Sequence, residues 1–197
     1  MAAGLATTIP ANVSTIRAMV RMPPESLEQW VHRVVVGLDL CPFAASPLNA
    51  GRVRFARCES REVRPCVEAA AAELSRLVER PPEELSTTLL SFPGWTEFER
   101  FLALADTVID LAADAGLDGL VQVVVFHPDW VAEGEDADDP ATATNRSPEP
   151  ALHFLREEEV ERAVRGYPDI EALLDRNAQR LRALGWEGLS PAGPSSE

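Results

Sequence analysis

Two histidines and an aspartate are the residues of this chain whose types best fit a reactive site. His127 and Asp129 lie two residues apart in a His-Pro-Asp segment, and His153 follows further along. Two imidazoles and a carboxylate form a ligand set suited to iron(II) or zinc, and the same groups can act as general acid and base. We therefore predict a divalent metal site (iron or zinc) or an acid–base site formed by His127, Asp129 and His153. The alternative is that His127 caps a strand end through a backbone hydrogen bond and that His153 pairs with Glu149 or Glu157.

A cysteine is the second candidate for chemistry. Cys41 precedes Pro42, which favours an extended conformation at the junction between a helix and a loop. Its thiol would be a nucleophile if a histidine lowered its pKa, or else a small apolar core residue. Cys58 and Cys66 are expected to be structural. Three cysteines without CxxC spacing argue against a disulfide framework and favour a reducing cytoplasm.

Polar residues around 145–156 predict the binding of a small anionic metabolite. Ser147 and Pro148 have the residue types of a helix N-cap and first helical position, and that helix would carry His153 and Arg156 on one side. The predicted substrate-binding residues are Asn145, Arg146, Ser147 and Arg156, with the two guanidinium groups holding the anion. Alternatively, Arg146 pairs with the acidic run 133–139. That run is expected to be solvated, and a non-catalytic protein could use it to dock a basic partner.

Hydrophobic periodicity predicts the elements that must position these residues. A helix from Ser26 to about Gly37 starts with a capping box, and a second capping box at Thr96 and Glu99 starts another helix. The predicted strands are 52–58, 87–92 and 120–126, the last an unbroken apolar run expected at the centre of a parallel sheet. Two further helices are expected, one after Pro150 and one over 169–184 that ends at Gly185. This order predicts an α/β fold with a small parallel or mostly parallel sheet of about three core strands (βαβαβ), an N-terminal helix and C-terminal helices. Ligands of such folds bind at the carboxyl ends of the strands, where His127 and Asp129 lie.

Composition limits the classes of protein that the chain can represent. Its 197 residues are 46% hydrophobic and 25% charged, and a net charge of -14 with no lysine makes nucleic-acid binding improbable. No apolar run is long enough to cross a membrane. We predict one domain over 25–186, between a flexible leader (1–24) and a disordered tail (187–197). Composition leaves the oligomeric state open.

Four segments of the chain resemble a known family. They are VVVGLDLCPFA at 34–44, FHPDW at 126–130, DDP at 138–140 and TNRSPEPALHFLR at 144–156. They resemble the DUF1415 family over about 28–185, a family of unknown function, so no catalytic role carries over. The resemblance implies that the family pattern centres on Cys41, His127, Asp129, Asn145, Arg146, Ser147, His153 and Arg156. The chain departs from that pattern with Trp130 where a tyrosine is usual, and at Glu149, where the motif varies. We expect a small cytoplasmic enzyme with either the metal or acid–base site or the Cys41 thiol, the binding protein being the non-enzymatic alternative.

Overall fold

The computed structural model describes residues 25–131, 134–166 and 169–190. The predicted leader (1–24) lies outside the described residues, as does the predicted tail beyond residue 190. The elements in chain order are α1 (Leu27–Trp30), continued by a π-helix (Val31–Val36), α2 (Ala45–Asn49), β1 (Val53–Arg57), α3 (Val63–Glu79), β2 (Thr87–Ser91), α4 (Phe98–Asp114), β3 (Val121–Phe126), a 3-10 helix (Pro140–Thr144), β4 (Ala151–Arg156), α5 (Glu157–Arg165) and α6 (Ile170–Leu189). None of the helices in these ranges combines the length and the apolar character needed to cross a membrane.

The four strands of the described residues form one mixed sheet in the order β1-β2-β4-β3. Strand β1 pairs with β2 in parallel, whereas β4 is antiparallel to both of its neighbours. The partners of His153 in this ladder are Leu89 on β2 and Val124 on β3. Because side chains alternate between the two faces of a sheet, these registers determine which residues can meet.

The predicted α/β class is confirmed, but the sheet is neither mostly parallel nor three-stranded. Strand 120–126, predicted at the centre, is β3 and lies at an edge of the described sheet, with β4 as its neighbour. The central strands are β2, which is buried at every position, and β4. The valine-rich sequence of β3 predicts a strand correctly, but its place in the sheet depends on β4, which the sequence did not predict.

The segment 151–156 is a strand, so the helix predicted to start at Ser147 and Pro148 is wrong. Alanine, leucine and arginine in this segment favour a helix locally, but hydrogen bonding to a strand on either side prevails over that preference. In a strand, residues three apart face opposite sides, so His153 and Arg156 diverge. The helix begins instead at Glu157, where three glutamates in the first turn suit the positive end of the helix dipole.

The predicted helix boundaries are partly correct. The capping box between Ser26 and Gln29 is confirmed, with Ser26 Oγ accepting from the Gln29 amide. Helix α4 begins after Glu97 without a side-chain cap, so the second capping box is wrong. Helix α6 continues to Leu189, past the predicted end, although Gly185 interrupts it with φ +62°.

Two apolar cores lie on the two faces of the sheet. The α3/α4 face carries Leu90, Phe92, Leu152 and Phe154, packed against the inward residues of helices α3 and α4. The α6 face carries Leu89, Ala151 and Phe126, packed against α1, the π-helix and α6. Every candidate site residue can be placed relative to these two faces.

Candidate functional site

His127 is buried at the end of β3 next to α4. Its ring lies 5.0 Å from that of Phe98 and 5.7 Å from that of Phe101, between ring centroids. Nδ1 accepts a hydrogen bond from the Asp129 backbone amide at 3.0 Å, and the His127 amide donates to the Asn145 carbonyl at 3.3 Å. This arrangement closes the turn after β3, as the strand-capping alternative expects.

His153 lies in the middle of β4 on the α6 face. Its Nε2 is 2.7 Å from Thr87 Oγ1, which itself donates to the Phe154 carbonyl. Because the Thr87 hydroxyl has one proton and gives it to that carbonyl, Nε2 is the protonated nitrogen of the imidazole. Burial of the ring lowers the pKa of His153 to about 3, so the imidazole is neutral at pH 7. Its hydrogen bond is to Thr87 and not to either predicted glutamate.

The structure does not bring the predicted metal ligands together. His153 contacts the ring of Phe126 on the α6 face, whereas His127 contacts Phe101 in the core of the α3/α4 face. Over the described ranges, no three or more histidine, cysteine, aspartate or glutamate side chains form a group that could hold a metal ion. The two histidines therefore do not share a site at the carboxyl end of the sheet.

The two arginines predicted to hold an anion instead bind backbone carbonyls. The Arg156 Nη2 donates to the carbonyls of Leu77, Arg80 and Leu85, around the end of α3. Arg146 donates to the Trp130 carbonyl at 2.7 Å and to the Ala137 carbonyl at 2.8 Å. Both guanidinium groups thus hold the fold in place where a substrate was expected.

The remaining predicted binding residues lie in the loop between β3 and β4. Ser147 is buried and its Oγ donates to the Glu149 carbonyl at 2.6 Å, while Asn145 follows the 3-10 helix and gives its carbonyl to the turn at His127. Glu149, predicted as a partner of His153, forms an ion pair with Arg57 at 2.7 Å.

The loop is also attached to α6. Arg182 and Asp139 form an ion pair at 2.7 Å, and the guanidinium of Arg182 lowers the pKa of the Asp139 carboxyl. The Trp186 indole donates to the Asp138 carbonyl at 2.9 Å, and Arg146 lies 4.9 Å above the Trp186 ring centroid. Two members of the acidic run predicted to be solvated thus contact α6.

Cys41 lies in the turn between the π-helix and α2, and its side chain is half-buried. The Ala44 amide donates to the Cys41 carbonyl at 3.3 Å. Burial raises the pKa of the thiol and outweighs the nearby backbone amides of Phe43 and Ala44, which favour the thiolate. The nearby Asp39 carboxylate raises the pKa further. Cys41 is therefore a protonated thiol at neutral pH.

Helix α6 holds this turn in place through three side chains on three successive carbonyls. Arg180 donates to the Leu38 carbonyl, Arg176 to that of Asp39 at 2.8 Å, and Asn177 to that of Leu40 at 2.7 Å. Between them the chain reverses at Asp39, a non-glycine residue with φ +50°. A residue other than glycine is strained in this region of backbone conformation and persists only where surrounding contacts fix it.

One group in this region has no hydrogen-bond donor among the described residues. The Asn177 side chain is 3% exposed and uses its Nδ2 on the Leu40 carbonyl, but nothing in the described chain donates to its Oδ1. A buried amide oxygen of this kind is costly unless a donor reaches it, and a bound molecule can supply one.

A pair of cysteines that the sequence predicted to be structural is brought together. The sulfur atoms of Cys58 and Cys66 lie 3.7 Å apart. Cys58 directly follows β1, and Cys66 lies in the first turn of α3. A strand followed within eight residues by a helix that packs on it is the signal that could have predicted this contact.

The described residues form an α/β protein with a four-stranded mixed sheet, in which α6 holds the turn that leads to Cys41. The chain belongs to the family described as "Protein of unknown function (DUF1415)", whose profile matches residues 24–190 and thus most of the sequence. No curated protein and no solved structure matches the chain.

Proposed function

We propose that the protein is a thiol-dependent enzyme in which Cys41 is the nucleophile toward a small molecule with an electrophilic carbonyl carbon. The observation that carries this proposal is a half-buried thiol in a turn whose three preceding carbonyls, those of Leu38, Asp39 and Leu40, are all held by side chains of α6. The nearby backbone amides of Phe43 and Ala44 lower the pKa of the thiol and so favour the thiolate, which is the reactive form of cysteine.

The three contacts from α6 support this role. Three side chains and a positive-φ residue fix a turn of only a few residues, as a nucleophile that must meet its substrate in one geometry requires. Asn177 Oδ1, next to the same turn, would accept a hydrogen bond from the bound substrate.

Electrostatics determine the expected pH dependence. Burial and Asp39 keep the thiol protonated at neutral pH, so attack on the carbonyl carbon requires loss of the thiol proton. The reaction should therefore become faster as pH rises above neutrality, because the thiolate fraction grows.

The metal-dependent enzyme acting on an anionic metabolite is the rival proposal. It needs His127 and His153 in one site and a free arginine, whereas the two rings face different cores and both predicted arginines bind carbonyls. Its support is therefore limited to the residue types, and the experiment below also tests it.

The test is hydrolysis of a panel of small activated esters and acyl thioesters by the full-length protein, with and without iodoacetamide or a chelator. We expect turnover that iodoacetamide and Cys41→Ser abolish and that Cys58→Ser, the matched control, retains. Full turnover by Cys41→Ser would refute the thiol mechanism. Loss of turnover to the chelator alone would also refute it and favour the metal site, which His127→Ala and His153→Ala would then test by metal content.

A further inference from the structure

The pair formed by Cys58 and Cys66 lies on the opposite side of the sheet from the Cys41 turn. Cys58 follows the last residue of β1, and its backbone amide donates to the Ser91 carbonyl at 2.9 Å, which fixes its position against β2. Cys66 is buried in the core of the α3/α4 face, and Cys58 packs against the same core. The pair is therefore independent of the thiol in the proposed catalytic turn.

The two thiols form a directed chain of hydrogen bonds. Cys58 Sγ donates to Cys66 Sγ at 3.7 Å, and Cys66 Sγ donates to the Ser60 carbonyl at 3.4 Å. The Trp95 indole donates to the same carbonyl at 2.9 Å, so two core side chains hold the loop that carries Ser60. These contacts hold the sulfur atoms next to each other in the reduced protein.

We propose that Cys58 and Cys66 are a redox site that forms a reversible intramolecular disulfide with a small peroxide. The sulfur atoms must approach from 3.7 Å to about 2.05 Å to bond. Their sequence separation of eight residues closes a short loop between the end of β1 and the first turn of α3.

The different exposure of the two thiols sets the order of the steps. Cys58 is half-buried and Cys66 is 0% exposed, so the peroxide meets Cys58 first. The Cys58 sulfur attacks one peroxide oxygen, the O–O bond breaks, and a sulfenic acid and water result. The Cys66 sulfur then attacks the Cys58 sulfur, the S–O bond breaks, and the hydroxyl leaves as water with the Cys66 proton. With hydrogen peroxide, the two thiols thus supply the two electrons that reduce one peroxide molecule to two waters.

Burial also affects the second step. Burial and the neighbouring sulfur of Cys58 raise the pKa of Cys66 to about 11, so the resolving residue is a thiol at neutral pH. The sulfenic acid is expected to be long-lived enough for a dimedone probe to trap it before the disulfide closes.

The experiment treats the full-length protein with hydrogen peroxide, blocks the remaining thiols with N-ethylmaleimide and digests it with trypsin. Cleavage after Arg57, Arg61 and Arg76 separates the two cysteines into peptides 58–61 and 62–76, while Cys41 falls in 34–52. We expect the first two peptides to be joined and their summed mass to fall by about 2 Da for the two hydrogens lost. Dithiothreitol should restore both thiols.

Matched variants separate this site from the proposed nucleophile. Cys41→Ser should form the cross-link as the unaltered protein does, while Cys58→Ser should form none and should keep its turnover of esters. If peroxide oxidises Cys41 completely while Cys58 and Cys66 remain thiols, as shown by maleimide labels on both, the proposal is overturned. A disulfide that joins Cys41 to either residue, or that joins two chains, would overturn it as well.

Discussion

Arg156 gives the sharpest test of whether this region binds a substrate or holds the fold. Arg156→Met keeps the apolar stem of the side chain and removes the guanidinium that reaches the carbonyls of Leu77, Arg80 and Leu85. The contact with Arg80 is exposed, so water can replace it, whereas the contacts with Leu77 and Leu85 are partly buried. The loss of unfolding free energy on substitution should come mainly from the contacts with Leu77 and Leu85.

The size of the effect follows from the two partly buried contacts. A hydrogen bond from a charged donor contributes about 1.5–3 kcal/mol, and two at the low end of that range give about 3–4 kcal/mol. For a chain of this length, each 1 kcal/mol changes Tm by about 2–4 °C, so Tm should fall by about 6–16 °C. Such a loss is a large part of the stability of a typical domain.

The assay is thermal unfolding followed by circular dichroism, with Arg162→Met as the matched control. Arg162 lies on α5 and pairs at 2.7 Å with Glu158 one turn away, with both side chains mostly exposed. Such a surface pair contributes about 0.3–0.5 kcal/mol, so Tm should change by about 2 °C or less. An unchanged Tm for Arg156→Met together with weaker binding of a small anion would refute our interpretation and restore the predicted substrate role.

Three further predictions concern the titratable and redox groups. The rate at which iodoacetamide labels Cys41 should rise about tenfold per pH unit from pH 7 to 8, because its raised pKa leaves few thiolates there; a rate independent of pH would contradict this. His153 is neutral in the folded chain but protonates near its ordinary 6.5 in the unfolded chain, so stability is present above that pH and is lost as pH falls toward about 3. Between pH 6.5 and 5 the unfolding free energy of the unaltered protein should fall by about 1.6 kcal/mol relative to His153→Gln, measured in urea, and an equal pH dependence in the two proteins would contradict this. Closing the disulfide between Cys58 and Cys66 should stabilise the fold by about 2–3 kcal/mol through the restricted unfolded chain, and calorimetry should then show a Tm higher by about 4–12 °C; an equal or lower Tm would indicate a strained link.

Local patterns predict most of the elements, because their signals lie within one stretch of chain. Alternation at Val53 and Phe55 indicates a half-buried strand, and β1 is an edge strand of the described sheet. Helical spacing of apolar residues likewise predicts α4, and the apolar stripe Val67, Ala70, Leu74 and Leu77 predicts α3. The helix prediction for 151–156 is wrong because the two strands that pair with this segment lie far away in sequence, and only their pairing makes it a strand.

The candidate site is less predictable for the same reason. The carbonyl partners of Arg156 are more than 70 residues distant, so the sequence indicates a charged group without showing what it binds. Whether His127 and His153 meet depends on which face each occupies, which follows from strand register. The position of Cys41 before Pro42 makes it a candidate in the sequence, but the hydrogen bond that holds its turn to α6 joins Leu40 to Asn177 across 137 residues and cannot be predicted from local spacing.

The insertion of β4 between β2 and β3 has a consequence for how the chain reaches its native state. In the described sheet β3 pairs with β4 and not with β2. Strands β2 and β3 therefore cannot pair with each other while the rest of the chain is being synthesised. Strand β4, which follows the segment 127–150 in the chain, must then insert between β2 and β3. Non-local closure of this kind is slow, and until it occurs β2 and β3 each present an apolar strand edge. We therefore expect refolding from urea to be rate-limited by this insertion, and aggregation at high protein concentration to compete with it.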